Sequence, residues 1–238
     1  MSPKQSLNNE FALIAKALAH PHRLNLIEHA AQGAMPVEML AERTGLSVAN
    51  ASQHLRQLRE AGLVTAEREG KFVRYGLADD AVLDLLASLQ RVAESRRAAV
   101  GSIVSGYIDA RDTMEPISRA ELMARVREGT VTVLDVRPCE EYALGHVPGA
   151  LCVPLDQLDA RLAELDPTQS IVAYCRGPWC VLSFEAVAKL RAHGFDARRL
   201  EAGYPEWRAA GWRATSGVRR VGGRAGGRNR SPASLNQS

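Results

Sequence analysis

In the first hundred residues apolar positions recur at spacings of three and four, the period of a helix with one buried face. Phe11 to Ala19 predicts a first helix, and Pro21 suits the start of a second, whose Leu24, Ile27 and Ala31 recur until Gly33. Pro36 to Arg43 predicts a third helix, Thr44-Gly45-Leu46 a turn, and Ser47 to Ala61 a fourth helix with Ser47 as its cap and Gly62 as its stop. Two short helices joined by a Gly-containing turn form a helix-turn-helix unit. In the fourth helix Val48, Ala51, Leu55, Leu58 and Ala61 fall on one face and should meet the core. Leu63 to Arg68 and Phe72 to Leu77 are strand-like runs around Glu69-Gly70-Lys71, which predicts a β-hairpin with basic residues at its tip and flanks. From residue 79 to 108 a stripe including Val82, Leu85, Leu86, Leu89, Val92, Ile103, Val104 and Tyr107 is too long for so small a unit to bury alone, and a dimer seam explains it.

The pattern changes after Pro116. Ser118 caps a helix over 119–128. Then come a β-branched run from Thr130 to Val136, a short strand near 149–154, a helix over 155–164, a strand at 171–174, a helix over 181–193 and a last strand near 197–200. Strands alternating with helices predict a mostly parallel sheet covered on both faces, with its site beyond the strands' carboxyl ends. The expected organisation is a mainly α winged helix-turn-helix over 1–108, a linker over 109–116, an α/β unit over 117–214, and a Gly/Arg-rich disordered tail over 215–238.

Composition adds three constraints. No apolar run nears the roughly 20 residues of a membrane span, and the N-terminus lacks a leader pattern, so a cytoplasmic protein is expected. The net charge of +3 is carried by the tail: residues 1–114 hold 13 basic and 13 acidic side chains, residues 115–214 hold 12 and 14, and residues 215–238 hold 5 and none. Cys139, Cys152, Cys175 and Cys180 lack zinc-binding spacing and, in a reducing compartment, are expected to be reactive or buried rather than structural disulfides.

Two stretches carry candidate chemistry. On the fourth helix Ser47, Asn50, Ser52, Gln53, His54 and Arg56 lie off the apolar face, with Arg68, Lys71 and Arg74 in the hairpin. Amides read base edges, and basic residues and hydroxyls contact phosphates, so these nine are the candidate contacts to double-stranded operator DNA. Their alternative is an ordinary solvated face. In the back half, Tyr174-Cys175-Arg176-Gly177-Pro178-Trp179-Cys180 follows a strand and precedes a helix. A thiol there is stabilised as thiolate by free helix amides, with Arg176 adding positive charge, which makes Cys175 a candidate low-pKa nucleophile. Burial as two small apolar residues is the alternative.

The runs Ala17-Leu18-Ala19-His20-Pro21-His22-Arg23-Leu24, Ser52 to Val64 and Arg68 to Tyr75 resemble the winged-helix repressors of the arsenic-responsive, or ArsR, type over residues 11–108. The resemblance implies a homodimer on an inverted-repeat operator, released by an effector. Many relatives sense metal through a cysteine pair or through Asp and His of the last helix. No cysteine precedes Cys139 and no histidine lies between His54 and His146, so metal sensing at those sites is not expected. His20, His22 and His29 lack suitable partners for a metal, and His22 reads as a capping or surface residue.

Leu134-Asp135-Val136-Arg137, Glu140-Glu141-Tyr142, Gly145 to Ala150, Tyr174-Cys175-Arg176 and Leu200 to Trp207 resemble a rhodanese domain over 117–214. The resemblance implies that Cys175 takes up sulfane sulfur as a persulfide and that Arg176, Gly177, Pro178, Trp179 and Cys180 form the cradle. Asp135 and Arg137 are candidate site support or only a pair within the fold, and His146 is read as structural. The six-residue loop resembles sulfur-transferring members, although Cys180 stands where a common form of the loop has a second Arg. That change weakens binding of a dianion such as thiosulfate and supplies a second thiol that can bridge to Cys175.

No metal or cofactor is expected. The expected partners are operator DNA, a second copy of the chain and a small sulfur donor: polysulfide, persulfide or thiosulfate. The leading reading is a DNA-binding regulator, a repressor by resemblance, with sulfur chemistry as its input. The competing class is a sulfurtransferase joined to an independently acting DNA-binding unit, and a third is a rhodanese fold that only binds proteins.

Overall fold

The computed structural model describes residues 2–103, 106 and 116–217. The expected linker and tail therefore lie largely outside the described residues, as do Val104 and Tyr107 of the apolar stripe. The first unit comprises α1 (Pro3–Leu18), α2 (Pro21–Ala30), β1 (Met35–Pro36), α3 (Val37–Thr44), α4 (Val48–Glu60), β2 (Val64–Glu69), β3 (Phe72–Leu77), α5 (Ala81–Arg96) and α6 (Ala98–Ile103). Ser47 caps α4 by accepting from the Asn50 amide at 3.3 Å, and Gly45 ends α3 in the left-handed region at φ 67°, which sets the turn between the two helices. The strands form an antiparallel sheet of order β1-β3-β2, so the hairpin leans on a short strand the pattern did not predict. Leu26, Ile27, Leu40, Ala51, Leu55 and Leu58 fill its core.

Two helix expectations are corrected. Val48 is 46% exposed, because it occupies the first turn of α4, before that helix packs on α2 and α3. The helix after the hairpin is interrupted at Arg97, whose extended backbone separates α5 from α6.

The second unit comprises α7 (Arg119–Glu128), β4 (Val131–Asp135), α8 (Cys139–Leu144), β5 (Leu151–Cys152), α9 (Leu158–Arg161), β6 (Ser170–Tyr174), α10 (Val181–Ala192), β7 (Ala197–Arg199) and α11 (Tyr204–Ala209). Its four strands are parallel in the order β5-β4-β6-β7, with one apolar cluster around Val187 and Leu190 and another around Tyr142 and Trp207. Thr215, which composition places in the tail, pairs with His146 across an antiparallel bridge. Cys139 and Cys152 are joined by a disulfide, against the expectation from spacing. The cause is register: Cys152 lies beside Asp135 in the sheet, and Cys139 starts the helix just beyond that strand. No helix among the described residues is long and apolar enough to cross a membrane.

Candidate functional site: the sulfur loop and its contact with the winged helix

The loop from Cys175 to Cys180 connects the C-terminal end of β6 to the start of α10. Cys175 is buried, and its Sγ donates to the Ser183 hydroxyl at 3.2 Å and to the Cys180 carbonyl at 3.3 Å. The Tyr204 amide donates to the Cys175 carbonyl at 3.1 Å, tying the start of α11 to the loop. The expected low-pKa thiol is corrected here. Burial, followed by hydrogen bonding with Cys180, pushes Cys175 well above the ordinary thiol range. Cys180 is drawn below it by the hydrogen bond from Cys175, against burial, with help from the Arg176 amide. Cys180 occupies the N-cap of α10, whereas Cys175 is the first residue beyond the buried strand β6.

Arg176 does not supply charge to Cys175 in the way its neighbourhood in sequence suggests. Its Nε and Nη2 donate to the Glu141 carboxylate at distances from 2.8 to 3.2 Å. Glu141 also faces His29 of α2, whose Nδ1 lies 3.7 Å from Oε1, an ion-pair rather than a hydrogen-bond distance. Burial alone would raise the Glu141 carboxyl, but His29 and Arg176 outweigh it and hold it down to about 2. A carboxyl depressed from 4.5 contributes stability that is complete above pH 4.5 and lost as pH falls towards 2. The expected loss across that window is roughly 3 kcal/mol, by the conversion of about 1.4 kcal/mol per pKa unit. Acid titration of denaturant stability should show it, and Glu141→Gln should flatten that part of the profile; an unchanged profile would refute the assignment.

Asp135 and Arg137 form a second buried cluster. The guanidinium pairs with Asp135 and donates to the Gly145 carbonyl at 2.8 Å and to Gln32 Oε1 of the first unit at 2.9 Å. Tyr174 donates its hydroxyl to Asp135 at 2.6 Å and receives the Val147 amide at 3.0 Å. Burial opposes the charge on Arg137, yet Asp135 reverses the balance and raises its pKa. These residues support the interface between the units rather than hydrogen-bonding to Cys175. Gln32 also donates from Nε2 to the Arg176 carbonyl at 3.4 Å, so both clusters meet at α2 and the segment after it. Arg43 pairs with Glu140, and Arg208 with Asp80, at the margins of the same contact.

Sequence reasoning missed Gln32, Glu141 and Ser183 as members of this arrangement. Glu141 lies within a motif that was legible; Gln32 carried no local signal, because its partners are more than a hundred residues away. His29, grouped by sequence with His20 and His22, is separated from them and faces Glu141. His20, rather than His22, caps α2, and His20 and His22 instead approach His54, with ring centroids 4.5 and 5.8 Å from it. Among the described residues no group of three or more His, Cys, Asp or Glu could hold a metal ion.

Ser47, at the cap of α4, and Asn50, Gln53 and Arg56 on that helix are exposed, while Ser52 and His54 are half-buried. Burial, with nearby His20, Arg23 and His22, lowers the His54 pKa. Arg68 and Lys71 are exposed in the hairpin. Arg74 is already engaged with Glu69 and the Ala34 carbonyl, at 3.0 and 2.6 Å.

A winged helix-turn-helix joined through a buried polar contact to a rhodanese-like fold defines a two-domain transcriptional regulator. The Helix-turn-helix domain family matches residues 18–67, and the Rhodanese-like domain family matches residues 118–210. The chain belongs to the family of the HTH-type transcriptional regulator Rv0324 of Mycobacterium tuberculosis, being 42% identical over 208 residues that cover 87% of this chain and 91% of that protein. It is also similar to the Biofilm growth-associated repressor of Agrobacterium fabrum, 40% identical over 83 residues, 35% of this chain and 71% of the repressor. A solved homodimeric winged helix-turn-helix DNA-binding domain of Mb0332 from Mycobacterium bovis, "a possible ArsR-family transcriptional regulator", is 37% identical and covers 41% of this chain and 90% of its own, with TM-score 0.39. A Thiosulfate sulfurtransferase from Pseudomonas aeruginosa is 26% identical over 48% of this chain and 22% of its own, with TM-score 0.43.

Proposed function

We propose that this regulator binds operator DNA as a homodimer and that sulfane sulfur, taken up at the Cys175 and Cys180 loop, changes its affinity for the operator. The observation that carries the reading is Arg176. It belongs to the sulfur loop, yet its guanidinium shares Glu141 with His29 and its carbonyl accepts from Gln32. A rearrangement of the loop therefore disturbs groups on α2 and on the segment after it, and α2 packs against both α3 and α4 of the DNA-reading unit. Such a contact gives the loop a means to favour one conformation of the winged helix over another, the requirement for coupling between two sites.

Exposed Ser47, Asn50, Gln53 and Arg56 would face base edges and phosphates, with Arg68 and Lys71 on the adjoining backbone. The dimer is supported by an apolar face on α1 and α5 that is exposed among the described residues, where Phe11 is 63% and Val92 60% exposed and Leu85 and Leu89 line the same hollow. The relative named as a repressor supports the DNA-binding part of the reading.

The test is fluorescence anisotropy of an operator duplex at fixed salt, with and without a polysulfide donor, while mass spectrometry follows Cys175 and Cys180. Donor treatment is expected to change operator Kd on the order of tenfold, within the usual range of allosteric coupling. Cys175→Ser should remove that response. Modification of the thiols with no change in Kd would mean independent units and would favour the sulfurtransferase reading.

A further inference from the structure

We propose that the cavity between the two units is the sulfur-donor site, that it takes a small uncharged organic polysulfide, and that Cys180 is the thiol the donor meets first. The inference rests on the reading that this loop accepts sulfane sulfur, and it names the donor class and the entry point.

The cavity holds about 300 Å³. The loop from Arg176 to Cys180 and Glu206 of α11 form one wall; Leu24 and Glu28 of α2 and Leu86 of α5 form the other. Cys180 lines this space at 8% exposure, whereas Cys175, at 1%, lies behind it with its Sγ turned to Ser183 and to the Cys180 carbonyl. A donor in the cavity reaches Cys180 without moving the loop, but reaches Cys175 only past it. The electrostatics agree with the position: the hydrogen bond from Cys175, ahead of that from the Arg176 amide, lowers the Cys180 pKa.

Charge selects the donor. Two carboxylates, Glu28 and Glu206, line the cavity, and the guanidinium of Arg176 is already matched by Glu141. Burial raises the Glu206 carboxyl, with nearby Glu28 adding to the rise and backbone hydrogen bonds and Arg119 opposing it. Among the described residues that line the cavity, a dianion would meet like charge with Arg176 as the one cation, already paired with Glu141. Most of the remaining wall is apolar, which suits the alkyl groups of a trisulfide R–S–S–S–R.

The chemistry closes without a further reactant. The Cys180 thiolate attacks the central sulfur, forming Cys180–S–S–S–R while one S–S bond breaks and RS⁻ leaves. Cys175 then gives up its proton and attacks the Cys180 sulfur as the thiolate, giving the Cys175–S–S–Cys180 bridge, while R–S–S⁻ leaves and takes that proton as R–S–SH. The dithiol is oxidised and the trisulfide is reduced to RS⁻ and R–S–SH.

The experiment uses the full chain with diallyl trisulfide and with inorganic tetrasulfide, each rate divided by that of free cysteine with the same reagent. Timed alkylation and peptide mass spectrometry locate the sulfur. The normalised rate should favour diallyl trisulfide on the order of tenfold, and Glu28→Lys should narrow that preference. Cys175→Ser should stop at an allyl trisulfide on Cys180, whereas Cys180→Ser and Cys180→Ala should each slow modification of Cys175 by about tenfold or more. Undiminished uptake at Cys175 in both Cys180 variants, or an equal normalised rate for tetrasulfide, would overturn this inference and leave the regulator reading standing. Uptake at neither thiol from either reagent would overturn both.

Discussion

Arg137→Ala should cost the second unit 3–5 kcal/mol, about the loss seen when one partner of a buried ion pair is removed. Arg137 and Asp135 are both fully buried, with Tyr174 donating to the same carboxylate. Truncation leaves that carboxylate charged or forces it to take up a proton, and it strips Gln32 Oε1 and the Gly145 carbonyl of their donor. It also removes a cation from the face of Tyr204, whose centroid lies 4.6 Å from the guanidinium carbon. A loss of this size is a large part of the roughly 5–15 kcal/mol that holds a typical domain together. Urea denaturation should show an earlier midpoint, and near-ultraviolet circular dichroism should report loosened packing around Tyr174 and Tyr204. Arg137→Ala combined with Asp135→Asn should recover part of the loss, because the stranded charge is then gone. A single variant within about 1 kcal/mol of wild type would mean that water reaches Asp135 and that the cluster is not the dry junction described.

Gly203→Ala should reduce sulfur uptake by the loop on the order of 100-fold, the scale of effect expected when reacting groups are displaced by about 1 Å. The backbone of Gly203 is in an ordinary extended conformation, so its freedom of rotation is not what the position requires. Space is the reason. A Cβ there would collide with the Arg176 carbonyl carbon and the Gly177 nitrogen, both backbone atoms that no rotamer change can withdraw. Either α11 or the sulfur loop must move, and the Tyr204 amide that donates to the Cys175 carbonyl is the next residue along. The stability cost should be smaller, about 1–3 kcal/mol for overpacking, so the variant should remain folded while its thiols react slowly. Mass spectrometry of sulfur uptake alongside a thermal melt separates the two effects. Wild-type reactivity would show that the loop tolerates displacement.

The legible part of the protein was the part written at short range. The three- and four-residue spacing of Ala51, Leu55 and Leu58 depends only on helix geometry and places all three in the core. The caps at Ser47 and Ser118 and the turn at Gly45 are likewise local, since each satisfies backbone groups within a few residues. The alternation of strands and helices foretold a parallel sheet with the cysteine loop at a carboxyl end. Val48 marks the limit of periodicity: a face defined by angle alone does not say where along the helix a neighbour is present.

What the sequence by itself determined is therefore the two folds, their order and the position of a thiol loop after a strand. Only the tertiary structure decided that Gln32 answers Arg137, that Arg176 is spent on Glu141 beside His29, that Cys139 meets Cys152, and that Cys180 rather than Cys175 lines the cavity. The physical reason is range. Backbone hydrogen bonding and apolar periodicity act between near neighbours in the chain, whereas the charge and exposure of a buried group depend on whatever distant segment folding brings against it.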